Sequence, residues 1–314
     1  MNTIEIQEKI REEFKKSNKI RRNIKLPKTQ DIGFVVEDNI VKIKLSEKCV
    51  LSNMQSDIGA FDGWAIVLKR WGNYDKVIVT WDIPAEIENG HYQRFLFRIK
   101  NFYQDYKSWF SIDEKCIKLL DGLTIKDGNE YFLNIPGNRQ GSESIKGEAV
   151  LEERLVNGDL KDQLKKITSA RMLDKQLPVG VFDGPVSKVT SIFTRGKSAI
   201  DIWGLNSLNE LLLFELKTGS NYKVGIISEL YFYVSVMKMV QKRVFKYGDE
   251  KIKKENVWNN IPKTKNIKAY FLSPNLHPLI DNKVLELLNQ SDKDHIKVNF
   301  IVIQIIVDKL ILKS

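Results

Sequence analysis

The chain has 314 residues, 42% of them hydrophobic and 10% aromatic, which suits one or two packed domains and excludes a disordered chain. Its 50 basic against 40 acidic side chains give a net charge of +10, which favours polyanionic partners. Two separated cysteines, Cys49 and Cys116, and three histidines, His91, His277 and His295, have no ligand spacing, which argues against a disulfide framework, a zinc site and histidine-based nucleophilic catalysis.

The N-terminal "MNTIEIQEKIREEFKK" carries charges every few residues and so lacks the apolar core of a signal peptide. The apolar "VNFIVIQIIVDKLILKS" is broken by Asn299, Gln304 and Asp308 and reads as a buried strand rather than a membrane span. A reducing, cytoplasmic location is the expectation. Residues 2–16 form an amphipathic helix pattern, with Ile6, Ile10 and Phe14 on one side and Asn2 with Glu5 resembling a capping box. The run from Lys15 to Lys28 holds Lys15, Lys16, Lys19, Arg21, Arg22, Lys25 and Lys28 without an acid, a solvated linker or a track for a phosphate backbone.

Strand-like "IGFVV", "NIVKIKL" and "KVIVTW" then mix with helical "IGAFDGWAIVLKRW" and "YQRFLFRIKNFYQDYKSWF", which predicts a smaller α+β N-terminal domain over 1–135. Arg94, Arg98 and Lys100 among aromatics would suit base stacking and phosphate contact, but Phe95, Ile99, Phe102 and Tyr106 at helical spacing suit a core better. The Gly, Pro, Asn and Ser of "NIPGNRQGSESIKG" predict a linker over 136–147, leaving 148–314 as a second domain. There the order is a helical "EAVLEERLVNGDLKDQLKKI" that Asn157-Gly158 would break, strands "VSKVTSIFT", "SAIDIWG" and "LLLFELK" in an antiparallel meander, and a helix over 224–246. Strand "IKAYFLS", a helix over 282–290 and strand "VNFIVIQII" follow. This is the order of an α/β mixed sheet flanked by helices.

Within the meander, strand alternation puts Glu215 and Lys217 on one face, and a hairpin turning near residue 208 sets Asp201 opposite Glu215. Two adjacent carboxylates repel, and partial burial adds to the cost, so a divalent cation between them is the simplest remedy. Mg²⁺ takes carboxylate and phosphate oxygens. Lys217 beside it would hold or deprotonate a water, or neutralise charge on a phosphate. The plainer alternative is a structural ion-pair cluster facing solvent, against which stand the apolar neighbours Ala199, Trp203, Leu211 and Leu213.

Asp201 followed by Glu215-Leu216-Lys217 on the next strand resembles the core motif of the PD-(D/E)xK nuclease superfamily, and the order of elements over about 145–305 resembles it too. The resemblance implies a restriction-endonuclease-like core, Mg²⁺ (with Mn²⁺ as a substitute) held by Asp201, Glu215 and the carbonyl of Leu216, and a water activated by Lys217. It implies a further acid on the first helix: Glu148, followed by Leu151 and Leu155, fits best, with Glu152 as the substitute. Relatives often carry Gln and Tyr on the helix after the motif; Glu229 and Tyr233 stand there, so the Tyr matches and an acid replaces the Gln. Ile200 stands where many members have proline.

The expected activity is hydrolysis of DNA phosphodiester bonds by an endonuclease in restriction or another form of genome defence. A repair or recombination nuclease, a non-catalytic nucleic-acid-binding scaffold and a protein-interaction module are the alternatives. Arg195, Lys197 and Lys242, with Lys238 and Arg243, would contact DNA, and Asp183 in "VFDGP" is turn chemistry first. A homodimer would serve double-strand cleavage, and the N-terminal domain would select a target or recruit a protein partner.

Overall fold

A computed structural model describes residues 1–17, 24–126, 128–135, 147–193, 198–219, 223–247, 257–291 and 295–313. Two units form, each assembled from separate stretches: Met1–Thr124 with Tyr222–Glu229 and Leu276–Asp294, and Ile125–Asn221 with Leu230–Asn275 and His295–Ser314. Of the linker expected at 136–147, residues 136–146 lie outside the described residues, as do 18–23 of the basic run. Both units combine helices with sheet, so the class is mixed α/β.

The first unit opens on helix α1 (Thr3–Ser17). The Asn2 Oδ1 accepts the Ile4 and Glu5 N–H groups at 3.0 and 3.2 Å while Glu5 Oε2 accepts the Asn2 N–H at 2.8 Å, a complete capping box. Its Ile6, Ile10 and Phe14 are buried. Strands β1 (Ile32–Glu37) and β2 (Ile40–Leu45) make an antiparallel hairpin through Asp38 and Asn39, both at positive φ, the conformation that a type I′ turn requires. Short helix α2 (Glu47–Val50) and helix α3 (Phe61–Val67), extended by a π turn over Leu68–Gly72, lead to β3 (Lys76–Trp81). Helix α4 (Gly90–Asp105), β4 (Phe110–Ile112) and short helix α5 (Glu114–Ile117) follow. The sheet order is β1-β2-β3-β4, with β2, β3 and β4 mutually parallel, as strands joined by helical crossovers must be.

Arg94 and Arg98 of α4 are buried, which removes them as phosphate contacts. Arg94 bonds His91 Nδ1 at 2.9 Å. Arg98 grips both oxygens of Asp62 on α3, at 2.6 and 3.0 Å, and the Gly59 carbonyl at 3.0 Å; the Ser228 hydroxyl donates to the same carboxylate.

The second unit contains β5 (Tyr131–Leu133), α6 (Glu148–Val156), α7 (Lys161–Thr168), β6 (Ala170–Pro178), β7 (Val181–Phe182), β8 (Ala199–Asn206) and β9 (Leu211–Leu216). Helix α8 (Gly225–Gln241) enters it from Leu230 onward, and β10 (Phe245–Tyr247) and β11 (Ile267–Ser273) follow. Helix α9 (Asn282–Asn289) belongs to the first unit, and β12 (Val298–Ile306) and β13 (Lys309–Lys313) complete the second. The main sheet runs β13-β12-β11-β9-β8-β6, with β11 parallel to β9 and β12 and the other pairings antiparallel; β10-β5-β7 form a smaller sheet. Strand β9 is buried throughout. Leu155, Leu160 and Leu164 of the α6–α7 region pack in one core with Ile202, Leu212, Phe214, Leu216, Tyr270, Leu272 and Ile303. Among the described residues no helix is long and apolar enough to cross a membrane.

Three expectations are corrected. The first meander strand is β6, not 186–194: its Arg171, Asp174, Lys175 and Gln176 hide it from an apolar-pattern reading, and as an edge strand it needs only partial burial. Around 187–190 side-chain oxygens compete with the ladder instead, Ser187 Oγ accepting the Thr190 N–H at 3.2 Å. Helix α8 stops at Gln241 rather than 246, because Arg243 takes a left-handed conformation (φ 62°) and ends it. The C-terminal run is two strands, β12 and β13, reversed at Val307 (φ 51°). The expected break at Asn157-Gly158 is present between α6 and α7.

Candidate functional site

The β8–β9 ladder pairs Ile202 with Phe214 through to Leu205 with Leu211, the register that sets Asp201 opposite Glu215. Beyond Ile202 the two strands part, and the Asp201 side chain takes over: its Oδ2 accepts the Leu216 N–H at 2.8 Å. The Leu216 side chain sits in the α6–α7 core, so its backbone is anchored on one side by packing and on the other by Asp201. Lys217 continues the run for one step, donating its N–H to the Leu272 carbonyl of β11 at 3.0 Å.

Glu215 projects to the face opposite Leu216 and is 1% exposed, with the Lys217 ammonium bonded to its Oε1. Asp201 and Lys217 are half-buried. Trp203, Leu211 and Leu213, which share this face by strand alternation, are buried, so the charged groups occupy an apolar environment. Burial of a carboxylate in such surroundings is costly without a counter-charge, and Lys217 supplies one.

Glu148 is the first residue of α6, and its Oε1 accepts the Thr218 N–H at 3.3 Å, the residue next to Lys217. Glu152, one turn on, faces β6 instead: the Gln176 amide donates to both its oxygens, at 3.0 and 3.1 Å. The structure therefore brings Glu148 to the end of β9 and gives Glu152 a partner on β6. Gln176 itself was missed in sequence; it lies in a polar edge strand at φ 57° and leaves no periodic signal.

Glu229 belongs to the first unit, is 2% exposed and accepts a bond from the Gln55 amide. Tyr233, in the second unit, is buried with its ring against Phe232, centroids 5.8 Å apart. Lys242 is exposed just past α8, whereas Lys238 is 3% exposed, which removes it as a surface contact for a phosphate. Arg195 and Lys197 lie outside the described residues. Asp183 is exposed, and its N–H donates to the Thr190 carbonyl at 2.8 Å, a turn role.

The donor chemistry at the end of β8 and β9, carboxylates with a backbone carbonyl nearby, is that preferred by Mg²⁺. Among the described residues, however, no three His, Cys, Asp and Glu side chains gather closely enough to hold a metal ion. Donor type thus fits the ion, and full convergence of the donors is absent from this conformation. No protein-family model, curated protein or solved structure matches the chain.

Proposed function

We propose that the second unit is a Mg²⁺-dependent nuclease with a restriction-endonuclease-like core, cleaving DNA phosphodiester bonds. The observation that carries this reading is the Asp201 carboxylate seated on the Leu216 backbone, next in sequence to both Glu215 and Lys217, whose ammonium bonds the Glu215 carboxylate. Three charged groups from two adjacent strands at one buried strand end have a ready chemical purpose in phosphoryl transfer and little purpose in packing.

Asp201 and Glu215, with the Leu216 carbonyl, would hold the ion, and Glu148 would complete or support the set. When bound, the ion supplies a Lewis acid for a phosphate oxygen and lowers the pKa of a water. Lys217, an ammonium held by Glu215, would orient the attacking water with its Nζ and offset negative charge on a non-bridging phosphate oxygen. In an in-line displacement the water oxygen bonds to phosphorus as it gives up a proton to solvent, the bridging P–O bond breaks, and the departing oxygen takes up a proton from solvent. Asp201 keeps Leu216, and so the neighbouring Lys217, in position through its bond to the backbone.

The basic surplus of the chain suits a polyanionic substrate, and exposed Lys242 is a candidate phosphate contact. Restriction-like genome defence is the role proposed, with repair or recombination as the alternative setting; a homodimer would be needed to cut both strands at once, and the first unit would select a target or a partner protein. A second reading, a nucleic-acid-binding scaffold without catalysis, is favoured by the closed Glu215–Lys217 contact, which pairs the two charges without an ion.

Incubation of the full chain with linear and supercoiled DNA in Mg²⁺ or Mn²⁺, beside Asp201→Ala and Lys217→Ala, tests the proposal. Cleavage lost in both variants supports it. Cleavage that persists in both rejects the site, and salt-sensitive DNA binding without cleavage supports the scaffold reading.

A further inference from the structure

Strand β13 is an outer edge of the main sheet, bonded to β12 on one side only. A side chain covers the first step of that edge. The Gln163 amide of α7 donates to the Asp308 carbonyl at 3.0 Å and its oxygen accepts the Leu310 N–H at 3.2 Å, the two bonds that a neighbouring strand would make there. Since the Leu310 N–H points away from β12, alternation turns the Leu312 N–H and carbonyl outward too. Among the described residues these two groups have no hydrogen-bond partner, so the second step of the edge is open.

Leu310 enters the core, and Lys309, Ile311, Leu312 and Lys313 are exposed. Lys309, Ile311 and Lys313 share one face, and the β12 residues opposite them are Ile306, Gln304 and Val302. No acid stands opposite either lysine. Asp308, beside Lys309 in sequence, is bonded to Arg154 at 2.6 Å. At the turn before β13, Val307 is 81% exposed at φ 51°, a conformation that β-branched residues rarely adopt, so neither burial nor backbone accounts for an apolar residue there. The edge therefore combines unpaired main-chain groups, exposed apolar side chains and cations at alternate positions.

Lysines on an edge strand deter pairing with a second copy. The symmetric antiparallel register that sets Ile311 against its counterpart also sets Lys309 of each copy against Lys313 of the other, and like charges opposed across strands destabilise the pair. The same lysines attract acids. A nucleic acid would satisfy them and leave the Leu312 main chain and the exposed apolar side chains without a match.

We infer that β13 is a docking edge for an extended segment of a partner protein, which adds to the sheet as a further strand with acidic side chains opposite Lys309 and Lys313 and an apolar one opposite Ile311. Main-chain bonds at Leu312 supply affinity, and the acid-x-apolar-x-acid spacing supplies specificity. The inference is independent of the Asp201 and Glu215 constellation and of the nuclease reading.

Fluorescence anisotropy of a labelled, end-blocked peptide Glu-Val-Ile-Val-Glu, titrated with the full chain, tests the inference. Saturable binding is expected, and the same peptide with Lys at both Glu positions should bind at least about tenfold more weakly. Lys309→Glu combined with Lys313→Glu should reverse that preference. Leu312→Pro removes the outward N–H and leaves the bonds to β12 in place, a substitution that edge strands tolerate. It should weaken binding of the Glu peptide about tenfold more than Leu312→Ala does, at a similar melting temperature. The charge-reversed variant decides the question if Leu312→Pro does not fold. The inference fails if the Glu peptide does not bind, if both peptides bind equally, if charge reversal leaves the preference unchanged, or if the folded Pro and Ala variants bind alike. A wild-type dimer in sedimentation that Leu312→Pro abolishes would give the edge to a second copy and overturn the inference. Duplex DNA binding that depends on Lys309 and Lys313, without peptide binding, would overturn it in favour of nucleic acid.

Discussion

The Asp201 carboxylate accepts the Leu216 N–H at 2.8 Å, so one acid from β8 ends the pairing of β8 with β9 and fixes the backbone between Glu215 and Lys217. The bond separates two roles of Asp201, holding the backbone and carrying charge. Asp201→Asn keeps an oxygen acceptor and removes the charge, whereas Asp201→Ala removes both. On the proposed nuclease reading, Asn should leave the melting temperature near that of wild type while cleavage falls at least roughly 10- to 100-fold. Ala should lose the same activity and about 1 kcal/mol of stability. Equal cleavage by wild type and the Asn variant, with equal melting temperatures, would show that the carboxylate serves the backbone alone.

Glu148 and Glu152 divide by partner. Glu148 reaches the Thr218 N–H beside Lys217, and Glu152 receives the Gln176 amide. On the proposed nuclease reading, Glu148→Gln should lower cleavage roughly 10- to 100-fold with little change in the urea midpoint. Glu152→Ala should instead cost about 1–3 kcal/mol of stability, because the Gln176 amide loses its acceptors, and leave cleavage by the folded protein near wild type. Urea titration and cleavage assays on the two variants would reverse these assignments if Glu152 lost activity at unchanged stability.

Asp62 and Arg98 form a doubly bonded ion pair with side-chain exposures of 0% and 2%. Removing one partner strands a charge out of water. Arg98→Met should therefore destabilise the protein by roughly 3–5 kcal/mol, measured by urea denaturation, and adding Asp62→Asn should recover part of that loss. A loss under about 1 kcal/mol for Arg98→Met, the range of exposed pairs, would mean that water reaches the pair.

His277 is 4% exposed, its Nδ1 accepts the Leu279 N–H at 3.2 Å, and burial pushes its pKa down to about 4, against a weaker opposing contribution from a bond to the Lys25 backbone. The unfolded chain titrates this group near 6.5. Between about pH 6.5 and 4 the unfolded state thus binds more protons than the folded one, so stability present above 6.5 is lost as pH falls through this window. The contribution is on the order of 3 kcal/mol. His277→Asn, which keeps an acceptor for the Leu279 N–H, should flatten the curve of urea midpoint against pH over that interval. An unchanged slope would assign the acid sensitivity to other groups.

The sequence by itself determined the elements whose signals lie in consecutive residues. Asn2 and Glu5 specify the cap of α1, the apolar runs "IKAYFLS" and "VNFIVIQII" coincide with β11 and β12, and a hairpin turning near residue 208 sets the β8–β9 register. Alternation along a strand and bonds within one turn are local, so they need no knowledge of the partner. Only the tertiary structure decided which segments meet. It selected the polar β6 as the neighbour of β8, gave Glu148 to the strand end and Glu152 to Gln176, and buried Arg98 on Asp62 where the sequence showed only a cation among aromatics. It also assigned Leu276–Asp294 to the unit that begins at Met1. These outcomes depend on burial and charge pairing between residues far apart in the chain, and such partners leave no periodic trace in the residues beside them.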